Sequence, residues 1–485
     1  MELFGKSIFL IRRRVWSIGL SIRNRGKPIM RALFRRNGRS GRGEIQPGDH
    51  FTCAKIIRYT LPSIIMMVFT SIYGVVDGLF LSNYAGKTAL AAVNFIFPFL
   101  MVFGGMGFLF GSGGSALISK TLGERRQHRA NRIFSSLVSL SLLVGVVLAL
   151  FCFIFLRPMA VGFGAEGELL ENSLRYGRIY LLGIPASIIQ FEFQNLYVTA
   201  NKPKLGLYST LASGVANIIL DALFIVLFGW GLEGAAIATI GSQWLAALFP
   251  LIYFSRGNTS LLRFVRTRID WRAMGKVVTN GASELLNNVS MSTVGVIYNG
   301  QLLRYAGNDG LAAYGILMYV SFLFVSIYIG YAVGISPVIS FHFGARNPGE
   351  IKSLLLKSYG LLSCCGGAMF LFSECSAGTV AGLFVGYDPK LLAIAKRGFF
   401  LYAFSFLFSG IAIFGSAFFT ALNNGSVSAF ISFMRTIVLE IALVLILPRF
   451  IGLDGIWLSV VFAEFFAALL GLVLVFIHRK RCLSA

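Results

Sequence analysis

Acidic residues are scarce in this chain: 20 Asp and Glu stand against 43 Lys and Arg, and all charged residues make up only 13% of 485. Soluble domains carry about 25% charged residues, so the composition excludes an ordinary water-facing surface. Cysteine is also sparse, six in all, with no metal-ligand or redox spacing. Cys364 and Cys365 are adjacent and point different ways on a helix, so the cysteines read as small apolar packing residues. Nucleotide motifs are missing as well. GFGAEG, Gly162 to Gly167, has dinucleotide spacing but no preceding strand, and GKT at Gly86 to Thr88 has Leu81 where a P-loop needs glycine. Nothing here indicates an enzyme or an organic cofactor.

What the chain does have is apolar sequence: 56% hydrophobic residues and a mean hydropathy of +0.76. Runs of about 20 apolar residues, enough to cross a hydrocarbon core of roughly 30 Å, predict an all-α membrane protein. Twelve transmembrane helices are expected near 57-83, 89-117, 131-156, 174-200, 205-228, 234-255, 274-303, 310-341, 353-373, 391-421, 427-447 and 455-477.

The basic residues set the orientation. GERRQHRANR after span 2, the link after span 6 and the final HRKR are basic, whereas NYAGKTA, GWGLEG and RFIGLDG are nearly uncharged. Positive loops stay inside, which predicts cytoplasmic termini and a multi-pass protein of the cell membrane. The same clustering accounts for most of the net charge of +23, so nucleic acid is not an expected partner. Residues 1-50 form a basic extension with no signal-peptide core. It is either disordered, lying on anionic membrane lipid, or an addition from an upstream start codon.

An internal repeat organises the rest. NYAGKTALAA matches RYAGNDGLAA at an offset of 221 residues, and the same offset pairs Gly123 with Gly344, Arg125 with Arg346, Gly177 with Gly398 and Gly234 with Gly455. Six spans per half is an even number, so the repeats are parallel, as in repeat-built secondary transporters. The expected domains are an N-terminal six-helix bundle, 51-256, a cytoplasmic linker, 257-273, a C-terminal bundle, 274-478, and a tail, 479-485.

Asp221 lies in ANIILDALFIVLF, inside a span. Insertion scales charge about 2.5 to 3.5 kcal/mol for such a group, which makes it a functional-site candidate. The repeat supplies a control: Asp77, Asn217, Asp221 and Thr239 have Tyr298, Val438, Ala442 and Val460 as counterparts. At 1.5 Å per residue, Asp77 and Asp221 lie roughly 14 Å below the outer helix ends and Thr239 roughly 9 Å. Asn217 shares the Asp221 face, one turn deeper. Two carboxylates in a low-dielectric interior resist joint ionisation, so the set suits either a proton or a hard cation such as sodium. The competing reading is a hydrogen-bonded network that only joins helices. Glu192 and Glu284, both in the inner halves of their spans, are candidates to attract cationic substrates from the cytoplasm.

SIYGVVDGLFL, NIILDALFIVLFGWGLEGAAIAT and NGASELLNNVSMSTVGVIYNGQLLRYAG resemble the multidrug and toxic compound extrusion (MATE) family, in its prokaryotic multidrug-exporting branch, over about residues 55 to 478. The resemblance implies a V-shaped pair of six-helix bundles exporting amphipathic or cationic small molecules in exchange for protons or sodium, by alternating access. It implies a cation site at Asp77, Asn217, Asp221 and Thr239, no cofactor beyond the coupling ion, and a monomer. A flippase for a lipid-linked or polar-headgroup substrate is the alternative, because relatives of the fold carry such cargo.

Overall fold

The computed structural model of the chain describes residues 45–81, 84, 87–385 and 388–478. Most of the expected basic extension and all of the tail 479-485 lie outside the described residues. Residues 47 onward form one compact unit, and among the described residues every regular element is helical. With no water to satisfy backbone groups in hydrocarbon, helices that close their own hydrogen bonds are the solution for such apolar runs.

All twelve expected spans are present. They are α1 (Cys53–Phe80), α2 (Lys87–Gly104 continued by Met106–Gly123), α3 (Gln127–Gly162), α4 (Gly167–Leu181 and Ile184–Thr199), α5 (Pro203–Asp221 continued by the π-turn Ala222–Leu227) and α6 (Gly231–Ser255) in the first half. In the second, Trp271–Gly344 divides at Gly307 (φ 60°) into α7 and α8. There follow α9 (Pro348–Val385), α10 (Pro389–Tyr402 and Phe406–Ala421), α11 (Gly425–Phe433, the π-turn Met434–Leu439 and Glu440–Ile446) and α12 (Leu453–Ile477). α4 is too polar to read as a simple apolar span. Its second segment carries Gln190, Glu192, Gln194 and Asn195, yet every residue from Ile184 to Thr199 is buried, so protein rather than lipid surrounds it. By contrast α3 leaves Leu150 and Ile154 exposed, as a lipid-facing helix does.

The repeat is visible in the backbone. Positive φ at non-glycine residues occurs at Arg125 (60°) and Arg346 (53°), a pair at the repeat offset, and at Asn201 (58°) and Asn423 (57°), a pair one residue off it. Each follows the end of a helix, where a left-handed residue lets the chain turn away. A contiguous apolar core runs through the first bundle, centred on the mutually packed rings of Phe134, Phe193 and Phe254, with centroids 5.3 to 6.0 Å apart.

The two bundles meet tightly at the end that carries the basic links. A Cβ added to Gly123 would lie 2.0 Å from the Phe341 carbonyl oxygen, and one on Gly344 would lie 2.0 Å from that of Lys120. Lys120 and Phe341 are themselves repeat counterparts, so the contact obeys the pseudo-two-fold. Gly113 approaches Val277 O and Gly281 approaches Leu109 O just as closely. Toward the opposite end, a Cβ added to Gly74, Gly78, Gly295 or Gly300 meets nothing within 4 Å.

A strap at the basic end ties the start of the first bundle to the second. Phe51 is fully buried, its N–H donates to Glu350 Oε1 at 2.9 Å, and Lys357 Nζ donates to its carbonyl at 2.6 Å. His50 Nδ1 lies 2.7 Å from Glu350 Oε2. Glu350→Ala would orphan a buried N–H and is expected to cost about 1–3 kcal/mol of stability, read as a lower denaturation midpoint. Wild-type stability in that variant would show that the strap is only surface decoration.

Candidate cation site

α5 packs against both α1 and α6 in the first bundle, and together the three helices bring the expected residues to one place. The carboxyl groups of Asp77 and Asp221 are neighbours. Asp221 is 0% and Asn217 2% exposed, the latter one helical turn below. Thr239 stands beside the Tyr176 phenol, which also neighbours both aspartates, and its own hydroxyl donates to Ala235 O at 2.9 Å. Asp221 is the last residue before the π-turn of α5. Such turns are often found at functional sites.

The surroundings add residues that span-by-span reading did not single out. Tyr73 neighbours both Gln190 and Asp77, and Tyr180 near Asp77 accepts a hydrogen bond from Gln243 Nε2 at 3.2 Å. Gln243 follows Thr239 by four residues, so one helical face connects them; that spacing was a usable signal. Tyr73, Tyr176 and Tyr180 carried none, because aromatics abound in the chain.

The chemistry of this cluster is one-sided. Asp77 Oδ1, both Asp221 oxygens, Asn217 Oδ1, Gln190 Oε1 and Gln243 Oε1 are buried with no hydrogen-bond donor among the described residues. Buried acceptors left without donors are costly, and a proton or a cation is what would satisfy them. Oxygen ligands of this kind suit hard ions.

The second bundle is different. The counterpart of Asp77, Tyr298, has its hydroxyl 2.7 Å from Ser459 Oγ. Arg435, in the π-turn of α11, makes a bidentate pair with Glu464, at 2.9 Å from Nε and 2.6 Å from Nη2. Glu440 and Glu284 also lie near that guanidinium. Glu284 thus sits by Arg435 in the second bundle, whereas Glu192 is fully buried in the first, accepting a hydrogen bond from Ser141 Oγ with its backbone against Gly111. The structure does not bring the two together.

Two parallel six-helix repeats, with an acceptor-rich cluster buried in one of them, have the architecture of a secondary transporter. The chain belongs to the MatE family, a family of membrane transporters: the MatE model matches twice, over residues 62–223 and 284–446, once in each half. Among curated proteins it is similar to the multidrug export protein MepA of Staphylococcus saprophyticus, 26% identical over 434 residues covering 88% of this chain and 94% of the relative. The MepA of Staphylococcus haemolyticus is 27% identical with the same coverage. Among solved structures it resembles an outward-facing multidrug resistance MATE transporter, with a TM-score of 0.85, 22% identity, and 90% of this chain and 98% of that chain covered. It also resembles a transporter from Pyrococcus furiosus described as having a binding pocket of reverse polarity, with a TM-score of 0.82, 22% identity, and coverage of 90% and 98%.

Proposed function

We propose that this chain exports amphipathic or cationic small molecules across the cell membrane in exchange for protons or sodium ions, by alternating access, with both termini in the cytoplasm and the monomer as the working unit. The observation that carries the reading is the set of donorless oxygens around Asp77 and Asp221, present in one bundle while Arg435 and Glu464 neutralise each other in the other. An ion entering the first bundle satisfies those oxygens, and its release re-exposes the need for it. Glycine contacts that close the basic end, with open space around glycines toward the other, fit the outward-open member of an alternating pair. Export of multiple drugs by the MepA relatives supports the substrate class. The flippase alternative wants free cations within the spans for an anionic headgroup, and the guanidinium of Arg435 is already held by Glu464.

The test is transport of a fluorescent organic cation in proteoliposomes, with proton and sodium gradients imposed separately. Accumulation against its gradient under one of the two ions is expected. Transport indifferent to both but responsive to ATP would overturn the reading.

A further inference from the structure

At the basic end, between the bundles, a cavity of about 470 Å³ is lined by five cationic side chains and two carboxylates. Lys120, Arg126 and Arg129 come from the first bundle and Arg272 and Lys276 from the start of α7. Both carboxylates are occupied: Glu124 pairs with Arg126 at 3.2 Å, and Asp270 caps α7 by accepting from Ala273 N at 3.1 Å. Among the described residues no ion pair links Lys120, Arg129, Arg272 or Lys276 to a carboxylate. A second cavity of about 250 Å³ shares Lys120 and Lys276 and reaches Asn424 and Gly425 at the start of α11. The N-termini of α3 and α7 also open here, since Arg126 and Asp270 are their N-cap residues, and helix N-termini favour anions.

The repeat shows what this place lacks. Shifted by 221 residues, Arg272 corresponds to Phe51, Arg129 to Glu350, Lys276 to Lys55 and Asp270 to Asp49. On that related side Glu350 is the carboxylate that joins the bundles, accepting from Phe51 N and pairing with His50. On this side Arg129 stands where the carboxylate would be, and the five cations that face the cavity outnumber its two carboxylates, Glu124 and Asp270. Like charges brought together across a closing interface repel, and an anion placed among them reverses the sign.

We propose that this cavity binds a phosphate-bearing anion that bridges the two bundles in the role Glu350 fills on the related side. Guanidinium groups hold phosphate through paired, charge-assisted hydrogen bonds, and basic pockets between helices at the cytoplasmic side take anionic lipid headgroups. The phosphate belongs either to a phospholipid of the adjacent leaflet or to a soluble ion, and the test separates these sources.

The experiment measures unfolding midpoints of the full-length protein in detergent. Phosphatidylglycerol, phosphatidylcholine and inorganic phosphate are titrated in turn, with chloride matched for ionic strength. Stabilisation by phosphatidylglycerol but not by phosphatidylcholine or inorganic phosphate assigns the lipid; stabilisation by inorganic phosphate as well assigns the soluble ion. Arg129→Gln and Lys276→Gln, one from each bundle, are each expected to weaken the anion at least about tenfold. Arg129→Glu, which installs the counterpart carboxylate, should be no less stable than the anion-free wild type and should ignore both anions. No stabilisation of the wild type by either anion, or responses in the Gln variants equal to the wild type, would overturn the proposal.

Discussion

Asp221→Asn is expected to reduce ion-coupled efflux to the uncoupled background while leaving a folded, inserted protein. The substitution keeps the shape of the side chain, and Asp221 is fully buried with neither oxygen bonded to a donor, so the amide loses no hydrogen bond that the fold depends on. What it loses is the capacity to change charge, because an amide neither takes up a proton near neutral pH nor attracts a cation as a carboxylate does. Efflux of a fluorescent cation from proteoliposomes under an imposed ion gradient reads the coupling. Thermal unfolding of the same sample reads the fold. Wild-type efflux with an intact gradient would remove Asp221 from the site.

The repeat sharpens this result. Asp placed at Ala442, the counterpart of Asp221, should not rescue Asp221→Asn, since its neighbours by repeat are Tyr298, Val438 and Val460 and the Tyr298 hydroxyl is already engaged with Ser459. An unpaired buried charge there is expensive, so the double variant should express or fold less well. Restored transport in it would mean that the halves are chemically more equal than their side chains suggest.

How much of this was legible from the sequence depends on the kind of signal. Most of the twelve spans were legible because an apolar run of membrane length has few alternatives, the polar α4 giving the weakest such signal, and the repeat was legible because one offset held over long distances. The grouping of Asp77, Asn217, Asp221 and Thr239 followed from depth along helices and from their absence in the second half. Depth says nothing about which helix lies beside which. Tyr176 and Tyr180 were therefore invisible as neighbours of the aspartates, and so were the packing of Glu192 against Gly111 and its hydrogen bond from Ser141. The pairing of Arg435 with Glu464 likewise needed the meeting of α11 and α12; only the poor alignment of Arg435 and Glu440 on one helix hinted that the partner lay elsewhere. The pocket at the basic end was hidden differently. Its Arg and Lys read as ordinary positive-inside residues, and that Lys120, Arg129, Arg272 and Lys276 have no carboxylate partner among the described residues appears only once the bundles are set together.

The other large effect is expected from the smallest side-chain change, a methyl group on Gly123 and Gly344 together. In the structure each added Cβ would sit 2.0 Å from a carbonyl oxygen of the opposite bundle, closer than any ordinary contact, and the obstacle is backbone on a packed helix rather than a side chain that can swing aside. The bundles can relieve both clashes by parting at the basic end. Overpacking of this kind costs about 1–3 kcal/mol per site, so the pair together shifts the closed-to-open balance at that end by at least about thirtyfold, since 1.4 kcal/mol is a factor of ten. Interactions within each bundle are untouched, so the fold should survive. Spin labels at Arg125 and Arg346, repeat-related residues at the basic end, should report longer distances in Gly123→Ala/Gly344→Ala than in the wild type, and efflux should fall by a similar factor. Gly295→Ala is the control: its Cβ meets nothing within 4 Å, and transport should be unchanged within about twofold. A double variant with unaltered label distances and full efflux would show that closure at the basic end is not part of the transport cycle. In that event the ion bound near Asp221 would have to act on some other motion of the first bundle.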